Sequence, residues 1–489
     1  MLARTHIARF YGISLAFVAC CIWMLTKEFY WVAAIPALLL VLYFAVYSID
    51  KILWIVVFST PLAIVLNDKS TGPALSMPTE PLLFGVLLLF TFKFIFEGGF
   101  DRRILYHPVT VSIGFLVLWK FITSLTSSMP GVSFKHLVSQ LWFIVPMYLL
   151  GTQLFRDKKN IKRFIWLYSI PLLIVVGYTI VRHAQNGWTQ QAAHWVMIPF
   201  YNDHTAYAAA LAMFIPPLIA FTRMQEESFS IRTLAFLVTA ALAVALILSY
   251  TRAAWLSLVA ALGLFLVYYF RIRFWTVFTG LTVVLALFFS FQKDIFMKLE
   301  KNRQDSATDF NKHLQSISNI STDASNLERI NRWNSALRMF EERPFWGWGP
   351  GTYQFNYAPF QKSDEMTIIS TNAGNRGNAH SEYIGPLAES GVFGLVTVAA
   401  LLIALIYTAS ISISRSHDPV YRTLLLGVFL GLVTYFVHGA LNNFLDTDKL
   451  SVPVWAFMAM VVAMDVYHTP METKPLNGKS SLLGKDLLH

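Results

Sequence analysis

The sequence predicts an all-α polytopic membrane protein of about 12–14 transmembrane helices, and three observations predict it. Of 489 residues, 56% are hydrophobic and 13% charged, and the mean hydropathy is +0.53; a soluble globular domain is far less apolar. Apolar runs long enough to cross the roughly 30 Å hydrocarbon core recur from one end of the chain to the other. The formal net charge of +10 lies mostly in the short connections between these runs. That distribution is a signature of membrane topology and argues against nucleic acid as a partner.

Taken in order, fourteen runs qualify as spans, at about 9–26, 29–48, 52–66, 81–96, 108–125, 137–150, 164–181, 205–221, 234–250, 254–270, 274–290, 391–410, 423–439 and 451–467. The first follows Arg4 and Arg9, as a signal peptide would. No small-x-small cleavage site closes it and another apolar run begins at Tyr30, so it reads as a retained helix. Cys20 and Cys21 are adjacent within it and can neither staple distant loops nor complete a zinc site. The third and sixth runs are short, which keeps twelve spans open.

Alternating the connections sorts the charges. Arg102-Arg103, Arg156 to Arg163, Arg223 with Arg232, Arg271 with Arg273, and Arg415 with Arg422 together hold thirteen Lys or Arg. The short connections of the other side hold Lys27, Lys69, Lys135, Arg182, Arg252 and Lys449. The positive-inside rule then places both termini in the cytoplasm and the single long polar loop outside, which in a bacterial inner membrane is the periplasm. The predicted organisation is an N-terminal bundle of about eleven helices over 1–290, a helical loop domain over 291–380, C-terminal helices over 381–467 and a solvated cytoplasmic tail over 468–489.

Within the loop, residues 291–325 are polar and partly helical in character. Ser325 and Glu328 then form a capping-box pattern, and Leu327, Ile330, Trp333, Leu337 and Phe340 recur as one apolar stripe that Pro344 ends. Arg329 and Arg332 sit beside that stripe, three apart, so one helix can present both to a single pocket. The turn Phe345-Trp346-Gly347-Trp348-Gly349-Pro350-Gly351 suits the headgroup level, and its glycines match no nucleotide-binding pattern.

The loop re-enters an apolar helix at Asn378-Ala379-His380-Ser381-Glu382-Tyr383. An imidazole at that water boundary can serve positioned proton transfer, or it can simply cap the helix. The other outward polar groups are Arg182, His204, Arg252, Arg329 and Arg332. These groups themselves form no DxD motif or His/Asp triplet for a metal. Arginines instead hold a pyrophosphate through bidentate charge-assisted bonds and stabilise the charge that grows as it leaves. Each has a plainer alternative: Arg182 and Arg252 can snorkel to headgroups, Arg329 and Arg332 can form a solvated helix face, and His204 can be a neighbour of a capping Asp203.

Three of these motifs resemble, in order, the bacterial O-antigen ligase and O-antigen polymerase superfamily. They are Ser249-Tyr250-Thr251-Arg252-Ala253-Ala254-Trp255; Arg329-Ile330-Asn331-Arg332-Trp333 leading to Arg343-Pro344-Phe345-Trp346-Gly347-Trp348-Gly349; and Asn378 to Tyr383 continuing through Leu387-Ala388-Glu389-Ser390-Gly391-Val392-Phe393-Gly394-Leu395. The resemblance runs from about residue 200 to 395. It implies a metal-independent, cofactor-free glycosyltransferase of the all-helical GT-C type that acts on the periplasmic face with an undecaprenyl-pyrophosphate-linked glycan as donor. It also implies roles: His380 as the base for the acceptor hydroxyl, with Arg252 and Arg329 near the donor pyrophosphate in the catalytic step, and Arg182 matched by its position in the preceding outer loop. Arg182, His204, Arg332 and Tyr383 are read as substrate-binding. Ser381 stands where Asn is common in the family, and Asp203-His204 where Pro-Asn is common. The acceptor is lipid A-core if the protein is a ligase and another lipid-linked repeat if it is a polymerase; a protein O-oligosaccharyltransferase uses the same chemistry. A lipid-linked glycan transporter would instead call for inverted repeats and cavity-lining groups at mid-membrane, whereas these groups cluster on one side.

Overall fold

A computed structural model describes residues 2–29, 47–66, 75–273, 327–367, 370 and 377–468, with scattered positions over 35–44 and 276–290. Among the described residues, ten helices are long and apolar enough to cross a membrane, from Thr79–Phe96 to Asp448–His468. They coincide with ten of the fourteen sequence runs. The run at 9–26 lies in the helix Leu2–Thr26. The runs at 29–48 and 274–290, the segment 291–325 with its Ser325 cap, and the tail after His468 fall wholly or mainly outside the described residues.

The run expected at 52–66 differs. Its helix, Ile49–Ser59, has 11 residues and passes into a 3₁₀ turn, Thr60–Leu62. Ile64–Leu66 then pairs antiparallel with Leu75–Met77, a small departure from an all-helical chain. Pro61 withholds a donor at the turn, and the Lys449 ammonium donates to the carbonyls of Thr60 (2.5 Å) and Ala63 (2.6 Å), so the helix stops there. Eleven residues rise only about 17 Å. The segment still connects the two ends of the bundle, since Asp50 shares a cavity with Arg156 and Asp157 while Thr60 meets Lys449. The run at 137–150 lies in a longer helix, Pro130–Leu154, whose stretch Val145–Leu150 widens to π geometry around Pro146.

At the centre stands Asp448–His468, buried on every side from Asp448 to Met464, as suits a helix that is apolar all round from Val452 to Met464. His204–Arg223 is almost as enclosed. Small residues bring it against Pro419–His438: a Cβ on Gly427 would lie 2.8 Å from the Ala220 methyl, and one on Gly431 2.6 Å from the Met213 carbonyl.

The ends differ in chemistry. One gathers connections expected to face the cytoplasm, through Lys158–Asp418 (3.2 Å), Lys162–Glu227 (2.6 Å) and Arg103–Asp101 (2.9 Å), with Tyr467 donating to Asp101. The opposite end carries His204, Arg252, the loop and His380.

In the loop, residues 327–342 are helical. Its buried face is polar, comprising Glu328, Asn331, Arg332 and Ser335 with Ala336 and Met339, so the apolar stripe expected to turn inward does not dominate the packing; Leu337 is 41% exposed. The polar face turns inward where its residues meet hydrogen-bonding partners. Glu328 accepts from Arg332 (2.8 Å) and Thr367 (3.0 Å), and Asn331 donates to Gln361 (2.9 Å). The following turn docks on the bundle, where Trp346 stacks on Trp119 at 5.6 Å and the Trp348 carbonyl accepts from the Ser128 amide. Gly349 is obligatory, since a Cβ there would overlap the Ser127 side chain.

Candidate functional site at the loop re-entry

The segment Gly377–Tyr383 is built from hydrogen bonds that fix its backbone before the helix Ile384–Arg415 begins. His380 has φ 50°, the left-handed region that a side chain seldom occupies. The Asn378 side chain accepts from the His380 amide at 3.0 Å and holds that turn. Arg332, 5% exposed, donates to the Asn378 carbonyl at 3.1 Å. Gly377 lies across its guanidinium so closely that a Cβ would collide with it. Ser381 turns its hydroxyl to the amides of Tyr383 and Ile384, both at 3.3 Å, and thereby caps the helix. Glu382 is an anchor: one carboxylate oxygen accepts from the Tyr435 hydroxyl (2.6 Å) and from the amides of Phe444 (2.8 Å) and Leu445 (3.0 Å). Tyr383 donates to the Phe436 carbonyl at 2.8 Å.

This segment separates two cavities. The smaller, about 210 Å³, is lined by His380 with Asp203, Asn442, Asn443, Asp448 and Lys449 among others. The larger, about 580 Å³, has an apolar part at Leu116, Leu401, Leu402 and Met458 and a polar part at Lys120, His136, Glu382 and Tyr383. Asn378 and Asn443 line both.

Burial lowers the His380 pKa to about 4, and the positive charges of Arg332 and Arg329 add to the effect; Asp203 and Glu328 oppose it. The ring is therefore neutral at pH 7. Burial also lowers the Arg329 pKa, against the pull of Asp203. Asp203 is the N-cap of His204–Arg223, accepting from the amides of Thr205 (2.7 Å) and Ala206 (2.9 Å).

The expected site residues thus fall into groups. His380, Arg329 and Arg332 share one electrostatic neighbourhood with Asp203, and Tyr383 follows on the adjoining cavity wall. His204 stacks on His194 with ring centroids 4.2 Å apart. Arg182 is turned to its own loop: it donates to the Tyr178 hydroxyl (2.9 Å) and the Val196 carbonyl (3.1 Å), bonds the Ile198 carbonyl and lies 5.2 Å over the Trp195 ring. Arg252 is exposed at the first residue of Arg252–Tyr269 and lines neither cavity; the Thr251 hydroxyl beside it reaches the His204 carbonyl at 3.4 Å. Among the described residues, no three His, Cys, Asp or Glu side chains are grouped to hold a metal ion. Sequence reading passed over Asn442, Asn443 and Asp448. Their signal was present in the outward connection Asn442 to Lys449, which carries the Asp-x-Asp pattern Asp446-Thr447-Asp448 and an acid-base pair opening an apolar span.

Ten helices long and apolar enough to cross a membrane among the described residues are consistent with the class of polytopic membrane proteins. Residues 235–399 match the O-antigen ligase family, a stretch that includes Arg252, Arg329, Arg332, His380 and Tyr383 and leaves Arg182 and His204 outside. The match supports, at family level, an O-antigen ligase-type membrane enzyme. No curated protein matches the chain.

Proposed function

We propose that the protein is an O-antigen ligase of the GT-C type, transferring a glycan from undecaprenyl pyrophosphate to a lipid A-core acceptor at the periplasmic face. The observation that carries this reading is His380, an imidazole neutral at pH 7 that lines the smaller cavity and feels the charge of Arg329, while its chain neighbours Ala379, Glu382 and Tyr383 line the larger one. The larger cavity, apolar at one part and polar at the other, suits a substrate with a lipid tail and a charged head. In the transfer, the acceptor hydroxyl oxygen forms a bond to the anomeric carbon as that carbon's bond to the pyrophosphate oxygen breaks. The hydroxyl proton passes to His380 Nδ1 or Nε2, and the electron pair leaves with the lipid pyrophosphate. Arg329, with Arg252 from the neighbouring turn, meets the negative charge in place of a metal. Arg182, His204 and Tyr383 bound the glycan path, and Arg332 positions His380 through Asn378.

Binding the donor also prepares the base. A pyrophosphate beside Arg329 offsets one of the positive charges that hold the His380 pKa down, so the ring's proton affinity rises when substrate arrives. The orientation, with both termini cytoplasmic, rests on the thirteen Lys or Arg of the five connections named above.

Deletion of the gene followed by analysis of surface glycan tests the reading. Unsubstituted core with accumulated lipid-linked polymer is the expected result. Core carrying a single repeat overturns it in favour of a polymerase, and loss of glycan from proteins in favour of a protein O-oligosaccharyltransferase.

A further inference from the structure

The smaller cavity beside His380 carries more polar capacity than the protein itself uses. Asn442 is 3% exposed and Asp448 0%. The side-chain nitrogen of Asn442, the side-chain oxygen of Asn443 and one carboxylate oxygen of Asp448 are buried with no hydrogen-bond partner among the described residues. All three residues line this cavity. The second Asp448 oxygen is occupied by the Thr79 hydroxyl at 2.5 Å, which fixes the carboxylate's orientation. Orphaned polar groups are costly in a folded interior, and three around one space next to the reacting histidine call for an occupant that bonds them.

The lining narrows the chemistry of that occupant. Two carboxylates, Asp203 and Asp448, disfavour a phosphate. Lys449, whose ammonium stands 4.0 Å from the Asp448 carboxylate, already supplies a cation. An apolar group would leave every orphan unpaired. What remains is a neutral group that both donates and accepts hydrogen bonds in several directions. The volume of about 210 Å³ leaves room for one sugar ring.

We propose that this cavity is a subsite for a single pyranose ring of the glycan that reacts at His380, its hydroxyls bonded by Asp448, Asn442 and Asn443. The inference rests on the glycosyltransferase reading above. Sites built to hydrogen-bond a substrate hydroxyl discriminate strongly against an analogue without it, because their own groups are then left unpaired. The three residues are therefore specificity determinants. The ring belongs either to the donor's first sugar or to the acceptor's terminal sugar, and the chemistry is the same for both.

The test uses the full-length protein in nanodiscs, unaltered and as Asn442→Ala and Asp448→Asn. Two probes are titrated, undecaprenyl pyrophosphate and the same lipid bearing one N-acetylhexosamine, and transfer is measured against lipid A-core concentration. A roughly tenfold loss of affinity for the sugar-bearing lipid alone, with the bare lipid bound as before, supports a donor-ring subsite. A roughly tenfold rise in KM for the acceptor, with both lipids bound as before, supports an acceptor-ring subsite. Variants that bind and transfer like the unaltered protein overturn the proposal and leave a cavity filled by water. Equal loss for both lipids with a lower Tm overturns it in favour of a packing role. Binding of neither lipid by the unaltered protein overturns the glycosyltransferase reading, and the subsite with it.

Discussion

Replacing Glu382 separates the scaffold of the site from its chemistry. One carboxylate oxygen of Glu382 accepts three hydrogen bonds, from the Tyr435 hydroxyl and the amides of Phe444 and Leu445, and its own amide donates to the Gly439 carbonyl at 2.8 Å. Glu382→Ala leaves three donors without their acceptor, at about 1–3 kcal/mol each. Water entering from the adjoining larger cavity relieves part of this, so the expected cost is about 3 kcal/mol. Glu382→Gln keeps an acceptor oxygen in place. Burial raises the Glu382 pKa, so the ionised carboxylate carries a desolvation cost that the amide escapes, and this offsets the weaker neutral acceptor; the expected cost is about 1 kcal/mol. Unfolding of the purified variants in detergent micelles, beside lipid binding and kcat, reads both effects. Glu382→Ala is expected to lower kcat more than lipid affinity, because the carboxylate acts by holding the turn that carries His380. An alanine variant within about 0.5 kcal/mol of the unaltered protein would refute the anchoring role.

Two further outcomes follow from the same geometry. Because the His380 pKa lies near 4 rather than 6.5, kcat/KM should stay level as pH falls from 7 to about 5 and decline only towards about 4; a histidine-dependent break near 6.5 would refute a neutral, cation-flanked ring. The stability contribution has a matching sign: a folded-state pKa below the unfolded value gives stability that is complete above about 6.5 and lost as pH falls towards about 4, a loss that His380→Gln should abolish in Tm measured against pH. Arg252→Lys should lower turnover with Tm unchanged, since the exposed guanidinium lines no cavity wall and lysine lacks its planar fork; full activity would refute a bidentate role.

The helices were legible because a membrane imposes length and apolarity on each crossing separately, so ten runs could be read one at a time. The segment at 52–66 stays open as a span in the sequence because its ending depends on Lys449, almost the whole chain away. The same applies to the loop helix. Its apolar stripe was visible, but the inward face is set by Glu328 and Asn331 meeting Thr367 and Gln361, and periodicity carries no record of those partners. His380 stood out as an ionisable group at a water boundary, and Arg329 as a charge on the same loop. Arg182 stood out as an outward cation, and its bonds to the carbonyls of its own loop could not be read from its position in the chain. Glu382 and Asn378 were on the page as neighbours of His380, but their work of fixing the turn appears only when the connection 439–447 is folded beside them.

The break in the helix Ile384–Arg415 bears on how the protein is assembled. Gly391 leaves helical geometry at φ 69°, ψ −167°, and the loop turn fills the gap: the Val392 amide donates to the Pro344 carbonyl (2.8 Å), while the carbonyls of Ala388 and Glu389 accept from Trp348 (3.2 Å) and Gly349 (2.7 Å). Before that turn has arrived, a helix entering lipid cannot leave these backbone groups bare. A newly inserted segment must close them internally as unbroken helix or keep them at the water surface. The broken form is therefore held by the seated loop. Because His380 lies eleven residues ahead of the bend on the same segment, the seated loop also helps to set the shape of the site.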